Sequence, residues 1–225
     1  MTPKDYQQFG LYAKDKGISS LKLDYYNQKV ENSLTPYILE ERSLNVTVMD
    51  VFSRLMMERI IWVAGGVDDH MSTIVQAQLM FLDSIDGNDI TMHIDSPGGS
   101  VKSGLSMVDV MDYIKSDIRT INTGMAASMG SVLLGAGTKG KRGSLRFSQT
   151  MLHQSSGGAG GNIQDARITF QEWEKVNNIL FDLLGGYCGK SAEQVLNDAS
   201  RDLWLNAEEA LSYGIIDEIV GKKKK

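Results

Sequence analysis

Two groups in this sequence have the types and the spacing for nucleophilic chemistry. One is Ser128, set in Gly124-Met125-Ala126-Ala127-Ser128-Met129-Gly130; the other is His153, in Met151-Leu152-His153-Gln154. A hydroxyl attacks a carbonyl only when a base takes its proton and donors receive the developing oxyanion. The pattern predicts that Ser128 sits where a strand turns into a helix. There, free backbone N–H groups and the helix dipole favour negative charge, and the N–H of Met129 is one candidate donor. Gly124, Ala126 and Ala127 leave room for a substrate backbone. The same small residues would also suit a tightly packed core helix. His153 ends a β-like run and precedes a glycine-rich stretch able to admit an extended ligand, which makes it the candidate general base. His70 follows Asp68-Asp69 at a helix start and reads as a surface or capping residue, and His93 lies in an alternating strand.

A third group must orient the imidazole and stabilise its cation. Asp165, Asp182, Asp198, Asp202 and Asp217 all lie downstream, and spacing does not choose among them because such groups meet in space. Gly98-Gly99, after Pro97, can aim a backbone N–H at an oxyanion or form an anion-binding nest. No phosphate loop and no G-x-G-x-x-G after a strand is present, so nucleotide binding has no support. No histidine–cysteine cluster has metal-ligand spacing, and no metal is expected. Cys188, the single cysteine, excludes an intrachain disulfide, fits a reducing compartment and has no activating neighbour.

These residues need a scaffold, and the periodicity supplies one. Val46, Val48, Met49, Val51, Phe52, Leu55 and Met56 recur at helical spacing and lead into a strand-like run at Ile60 to Val63, which Gly65-Gly66 breaks. An amphipathic helix is expected around Ile74, Ala77, Met80, Phe81 and Leu82, then a strand at Ile90 to Ile94. A helix through Leu105, Val108, Val110, Met111 and Ile114 follows, and strand Ile118 to Asn122 feeds the Ser128 segment. Ile163, Ala166, Phe170, Trp173, Val176, Leu180 and Leu184 make a long helical stripe. Ser191 with Gln194, and Asn206 with Glu209, mark two helix starts. The alternation predicts an α/β layer architecture with mainly parallel strands. With 225 residues and 42% hydrophobic residues, the chain can bury one sizeable core. A formal net charge of −5 disfavours a nucleic-acid groove. No segment approaches the ~20 apolar residues of a membrane span, and the start lacks a secretory signal, so a cytoplasmic protein without a membrane partner is expected.

Met125 to Gly130 followed by Ala136 to Arg142, with Ser96-Pro97-Gly98-Gly99, Met151 to Gln154, and Arg201-Asp202 leading into Ala207 to Ala210 and Tyr213-Gly214, closely resembles the proteolytic-subunit family of the Clp protease. The resemblance runs from about Leu34 to Val220, in order and nearly without gaps. It implies a ClpP/crotonase-like fold, a spiral of βαβ units with a protruding helical handle at Ile163 to Leu184. Ser128 would be nucleophile, His153 base and Asp202 orienting acid, with the N–H groups of Gly99 and Met129 as oxyanion hole. It further implies that Ser156, Gly157, Gly158, Ala159, Gly160 and Gly161 pair with the substrate backbone, a form of strand addition. Residues 1–33 would be an extension or propeptide, and 34–225 the peptidase domain. The implied assembly is a tetradecamer of two stacked seven-membered rings. An AAA+ unfoldase hexamer would feed it unfolded polypeptide and spend the ATP, so the chain itself needs no cofactor.

Some positions depart from the family pattern. Asp95 stands where Asn is usual, Ser155 where Pro is usual, and Ser200 where an acidic residue pairs across the ring–ring contact. In the partner-docking groove, Thr91 and His93 replace aromatic residues and Tyr113 keeps one. An endopeptidase subunit is the first expectation. A weakly active or non-catalytic structural subunit in a mixed barrel with a paralogue is the alternative, and a crotonase-type acyl-CoA enzyme a third.

Overall fold

The computed structural model describes residues 37–42, 45–158 and 160–221; the expected extension over residues 1–33 lies outside them, as does Ala159. The chain divides into two units, Met1–Glu58 and Arg59–Lys225. In the first, β1 (Tyr37–Arg42) and β2 (Asn45–Asp50) pair as an antiparallel hairpin, and α1 (Val51–Met57) follows directly. The helical reading that began at Val46 is therefore corrected: the chain is strand as far as Asp50. The switch is made by Asp50, whose carboxylate accepts the N–H groups of Phe52 and Ser53, both at 3.0 Å, and so caps α1.

The second unit carries the sheet β3 (Ile60–Ala64), β4 (Ile90–Ser96), β5 (Ile118–Ala127), β6 (Arg142–Leu145) and β9 (Glu218–Val220), all parallel in that order. Parallel strands need crossovers, and α2 (Asp69–Ile85) and α3 (Val101–Tyr113) supply the first two. β5 is long enough to serve two neighbours. Its first half pairs with β6, and Met125 to Ala127 pair in parallel with β7 (Gln149–Leu152). β7 in turn pairs antiparallel with β8 (Leu203–Asn206). The remaining helices are α4 (Met129–Gly135), α5 (Ile163–Cys188), α6 (Ala192–Asp198) and α7 (Ala207–Tyr213).

Ile61, Val63, Met92, Ile94, Leu133 and Leu134 are at most 2% exposed and form the centre of the core. The expected face of α2 needs correction. The helix buries Ser72, Val75, Leu79 and Leu82, whereas Ile74, Met80 and Phe81 are 44%, 51% and 54% exposed and Ala77 is also exposed. Only Leu82 of the predicted stripe faces the core, because α2 carries a second apolar row on its outer side. The stripe of α5 is likewise only partly buried. Leu180, Phe181 and Leu184 pack in, while Ile163 and Phe170 are 81% and 55% exposed. The two expected caps form: Ser191 accepts from Gln194 N–H, and Asn206 with Glu209 closes a reciprocal capping box.

One buried ion pair ties the end of α5, the end of α7 and the edge of the sheet together. Arg142, 2% exposed, donates to both oxygens of Asp217 at 2.6 and 2.8 Å and to the carbonyls of Tyr187 and Gly214. Burial pushes the Asp217 carboxyl up, but hydrogen bonds from Arg142 and from the backbone of Arg142 and Gly140 outweigh it and hold the pKa below the ordinary carboxylate value. A depressed folded-state pKa contributes stability that is present above the unfolded value, about 4, and is lost as pH falls through the folded one. Asp217→Asn should therefore cost about 3 kcal/mol in urea unfolding at pH 7, because it strands a buried guanidinium. That cost should begin to shrink below about pH 4, where the unfolded chain takes up a proton that the folded carboxylate still resists, and vanish only once pH has fallen through the folded pKa. An equal cost at pH 7 and pH 3 would show that the charge on Asp217 is not what stabilises the fold.

Candidate active site

β5, β7 and β8 lie side by side, and their registers decide what meets at their ends. Ala127 pairs with Met151, and the N–H of Ser128 donates to the Met151 carbonyl at 2.9 Å, so Ser128 leaves β5 level with the last residues of β7. Across the antiparallel β7–β8 pair, Leu152 faces Leu203. One step further along that register sets His153 opposite Asp202. His153 Nδ1 is 3.7 Å from Asp202 Oδ1, an ion-pair distance rather than a hydrogen bond. The other candidate acids are engaged or placed elsewhere. Asp165 accepts from Asn162 in the first turn of α5, and Asp182 is exposed on α5. Asp198 accepts from the Tyr213 hydroxyl, and Asp217 is held by Arg142.

Ser128 itself has φ 54° and ψ −122°, one of two non-glycine residues with positive φ among those described. That conformation costs of order 1–3 kcal/mol and lifts the side chain out of both the strand and the helix that follows. The turn is held by its neighbours: the Ser128 carbonyl accepts the Ser131 N–H at 2.9 Å and the Ser131 hydroxyl at 2.6 Å. The Ser128 side chain makes no capping bond to α4.

Gly98 and Gly99 lie against this turn. A Cβ on Gly98, whose φ is 92°, would come within 2.6 Å of Ser128 Cβ and 2.9 Å of the Met129 nitrogen. Gly99 is clasped by Val67, whose N–H donates to the Gly98 carbonyl at 2.9 Å and whose carbonyl accepts the Ser100 N–H at 2.8 Å. A Cβ on Gly99 would overlap the Val67 carbonyl. The N–H groups of Gly99 and Met129 donate to no acceptor among the described residues. Two unspent backbone donors thus flank a strained serine, the arrangement an acyl-transfer site requires.

Beside them opens a cleft of about 540 Å³, walled by Gly99 to Lys102 on one side and by Ser155, Ser156 and the α5 residues Ile168, Thr169, Glu172, Trp173 and Val176 on the other. Ser155 donates through its N–H and its hydroxyl to Asn177 of α5. Gly157 packs so close to Trp173 that a Cβ would lie 2.7 Å from the indole. Ser156, Gly157, Gly158, Gly160 and Gly161 form no regular strand. Trp173 entered the sequence reading only as part of the helical stripe; its role as a cleft wall depends on the loop folding back onto it.

Thr91, His93 and Tyr113 take different settings. Thr91 and His93 are half-buried on the outer face of β4, and Tyr113 is 75% exposed at the end of α3. His93 stacks on Trp62 of β3, with centroids 4.8 Å apart and planes 22° apart. Burial, aided by the positive charge of Arg119, holds the His93 pKa below its usual value. Asp95 accepts the Met125 N–H at 3.0 Å. Cys188 lies well away from this chemistry, and burial pushes its thiol up to about 11.

The chain matches the model of the Clp protease family over residues 42–223. It belongs to the Clp protease family. It is 50% identical over 217 residues to a Bacteroides fragilis (strain YCH46) protein named ATP-dependent Clp protease proteolytic subunit, covering 96% of this chain and 99% of that one. Proteins of the same name from Porphyromonas gingivalis (48% over 220 residues, 97% and 99% covered) and Streptococcus gordonii (45% over 190 residues, 83% and 97%) are also similar. The Clp protease match spans the Ser128 turn, the Gly98-Gly99 pair and the β7–β8 register together.

Because Gly98 touches the Ser128 turn directly, Gly98→Ala should lower kcat for peptide hydrolysis by at least about 100-fold through misplacement of the reacting groups. Gly87→Ala, at a position with open space around it, is the control and should leave both activity and melting temperature near those of the wild type. Equal activity in the two variants would show that the Gly98 contact does not set the turn.

Proposed function

We propose that this chain is a serine endopeptidase subunit of Clp type, hydrolysing peptide bonds of unfolded polypeptides. The observation that carries the reading is the strained Ser128 turn at the junction of three strand ends, with His153 and Asp202 brought opposite each other by the β7–β8 register. In this reading Ser128 Oγ attacks the scissile carbonyl while His153 Nε2 takes its proton, and Asp202 stabilises the imidazolium through Nδ1. The Gly99 and Met129 N–H groups receive the oxyanion. Collapse of the tetrahedral species expels the amine, which takes the proton from His153. A water, activated by the same imidazole, then hydrolyses the acyl-enzyme and restores Ser128. No cofactor of this chain's own takes part. Ser156, which lines the cleft, and the glycine-rich stretch after it would offer backbone to an extended substrate, so affinity would come from main-chain pairing and sequence tolerance would be broad.

The same reading extends to assembly: a tetradecamer of two stacked heptameric rings in the cytoplasm, fed by a hexameric AAA+ unfoldase that spends the ATP. The names of the related proteins, which include ATP dependence, support a partner ATPase. The outer apolar row of α2 (Ile74, Phe81, Ile85) and the exposed apolar residues early in α5 (Ile163, Ile168, Phe170) support burial against further copies, since patches of this kind mark interaction surfaces. Thr91, His93 and Tyr113, with Trp62 beside His93, would meet the unfoldase.

A serine-reactive fluorophosphonate should label the wild type at Ser128 and leave Ser128→Ala unlabelled. The same substitution should abolish cleavage of a fluorogenic peptide without changing particle size on chromatography. Asp202→Asn should lower kcat by about 10⁴-fold, the cost of losing the orienting carboxylate in trypsin-like triads. Turnover retained in Ser128→Ala would overturn the assignment of the nucleophile.

A further inference from the structure

Lys102 lines the cleft with a charge that no described carboxylate offsets. It lies three residues beyond Gly99, in the first turn of α3, and lines the cleft together with Gly99. It is exposed and has no carboxylate partner among the described residues. The acid on the facing wall, Glu172, has Lys175 Nζ 3.6 Å from its carboxylate. The rest of the cleft is uncharged: Val101, Ile168, Trp173 and Val176 supply apolar surface, and Ser100, Ser155, Ser156 and Thr169 supply hydroxyls. Phe170 meets Trp173 edge to face with centroids 5.5 Å apart, which braces the indole as a fixed wall.

We propose that Lys102 is a specificity-determining residue, making this cleft favour a substrate side chain with an aliphatic stem and an anionic end over a cationic one. The inference rests on the serine endopeptidase reading, since only there does a peptide side chain beside the scissile bond enter this space. The stem would lie along Trp173 and Val176 and the carboxylate would face the Lys102 ammonium. A lysine or arginine side chain in the same place would bring two ammonium-type charges together in a partly desolvated cleft. Interaction between partly solvated charges at such separations changes kcat/KM by about three- to tenfold, and the effect falls with ionic strength.

The test uses the full-length protein and fluorogenic peptides in which Glu, Gln or Lys is placed in turn at each of the three residues preceding the scissile bond. At one of those positions kcat/KM should fall in the order Glu, Gln, Lys at low salt, with the spread narrowing at high salt. Lys102→Arg should keep the order, and Lys102→Glu should reverse it by placing two acids across the cleft. Because the readout is a ratio between peptides on one enzyme, a general loss of activity in a variant does not move it. Cleavage with no charge order, or an order unchanged in Lys102→Glu, would overturn the inference and leave the endopeptidase reading standing. Absence of both cleavage and fluorophosphonate labelling in the wild type would remove that reading, and this inference with it.

Discussion

Holding Ser128 at φ 54° is the constraint around which the rest of the site is built. A serine there gains nothing from its own backbone, so of order 1–3 kcal/mol must come from what surrounds it. One contribution is a strand hydrogen bond to Met151 on the way in, and another is a pair of bonds from Ser131 on the way out. The turn also needs close approach. Gly98 presses on Ser128 from the β4 side, and a Cβ on Gly130 would come within 2.8 Å of the Ser96 carbonyl. All seven residues of α4 are buried, so the helix has no solvent side along which to relax. Interiors packed this closely transmit strain rather than absorb it, and the strained backbone conformation persists because its neighbours leave it little room to relax.

The proposed oxyanion donor Gly99 depends on the same packing by a different route. Gly99 keeps its N–H unspent because Val67 bonds on either side of it, taking Gly98 and Ser100 and leaving the residue between them. That clasp is anchored in turn. Val67 leads into α2, where Ser103 Oγ of α3 lies 2.5 Å from Asp69 Oδ1 and 2.7 Å from Ser100 Oγ. The first turns of two helices are thereby tied together around the glycine pair. The connections that carry Val67 and Gly99 are thus pinned to the first turns of two helices, the kind of rigidity that preorganised electrostatic stabilisation demands.

Local motifs made part of this site legible in sequence. Ser128 and His153 stand in short stretches whose small residues and following glycines have a direct steric meaning. Asp202 does not, because its partnership with His153 follows from an antiparallel register between strands about fifty residues apart. By spacing alone five aspartates looked equivalent; the family resemblance singled out Asp202, and the structure engages or places the other four elsewhere. The start of the second unit's sheet was clear from Ile60 to Val63, but Val46 and Val48 fit a strand as well as a helix. Asp50, not the hydrophobic spacing, marks where one becomes the other. Lys102 carried no motif at all. Its meaning comes from the cleft it lines opposite Trp173, a juxtaposition set by tertiary folding.

The α2 stripe was misassigned for a reason that bears on function. Ile74, Met80 and Phe81 have the spacing of a core face, yet the core takes Val75, Leu79 and Leu82 from the opposite side. Hydrophobic periodicity reports that a face is to be buried, not what buries it. A helix with apolar rows on both sides is costly to leave half-solvated, since each exposed side chain forgoes about 1.5–3 kcal/mol of burial. The first half of α5 shows the same excess, with Ile163, Ile168 and Phe170 all exposed. Two helices in one chain carrying more apolar surface than the fold consumes is what a subunit, rather than a self-contained enzyme, would display. The cleft that begins at Gly99 adjoins one of them: Ile168 and Trp173 line it from α5. Under the proposed reading, whatever covers the exposed turns of α5 would bear on the wall proposed to meet the substrate, and assembly and substrate selection would be coupled through a single helix.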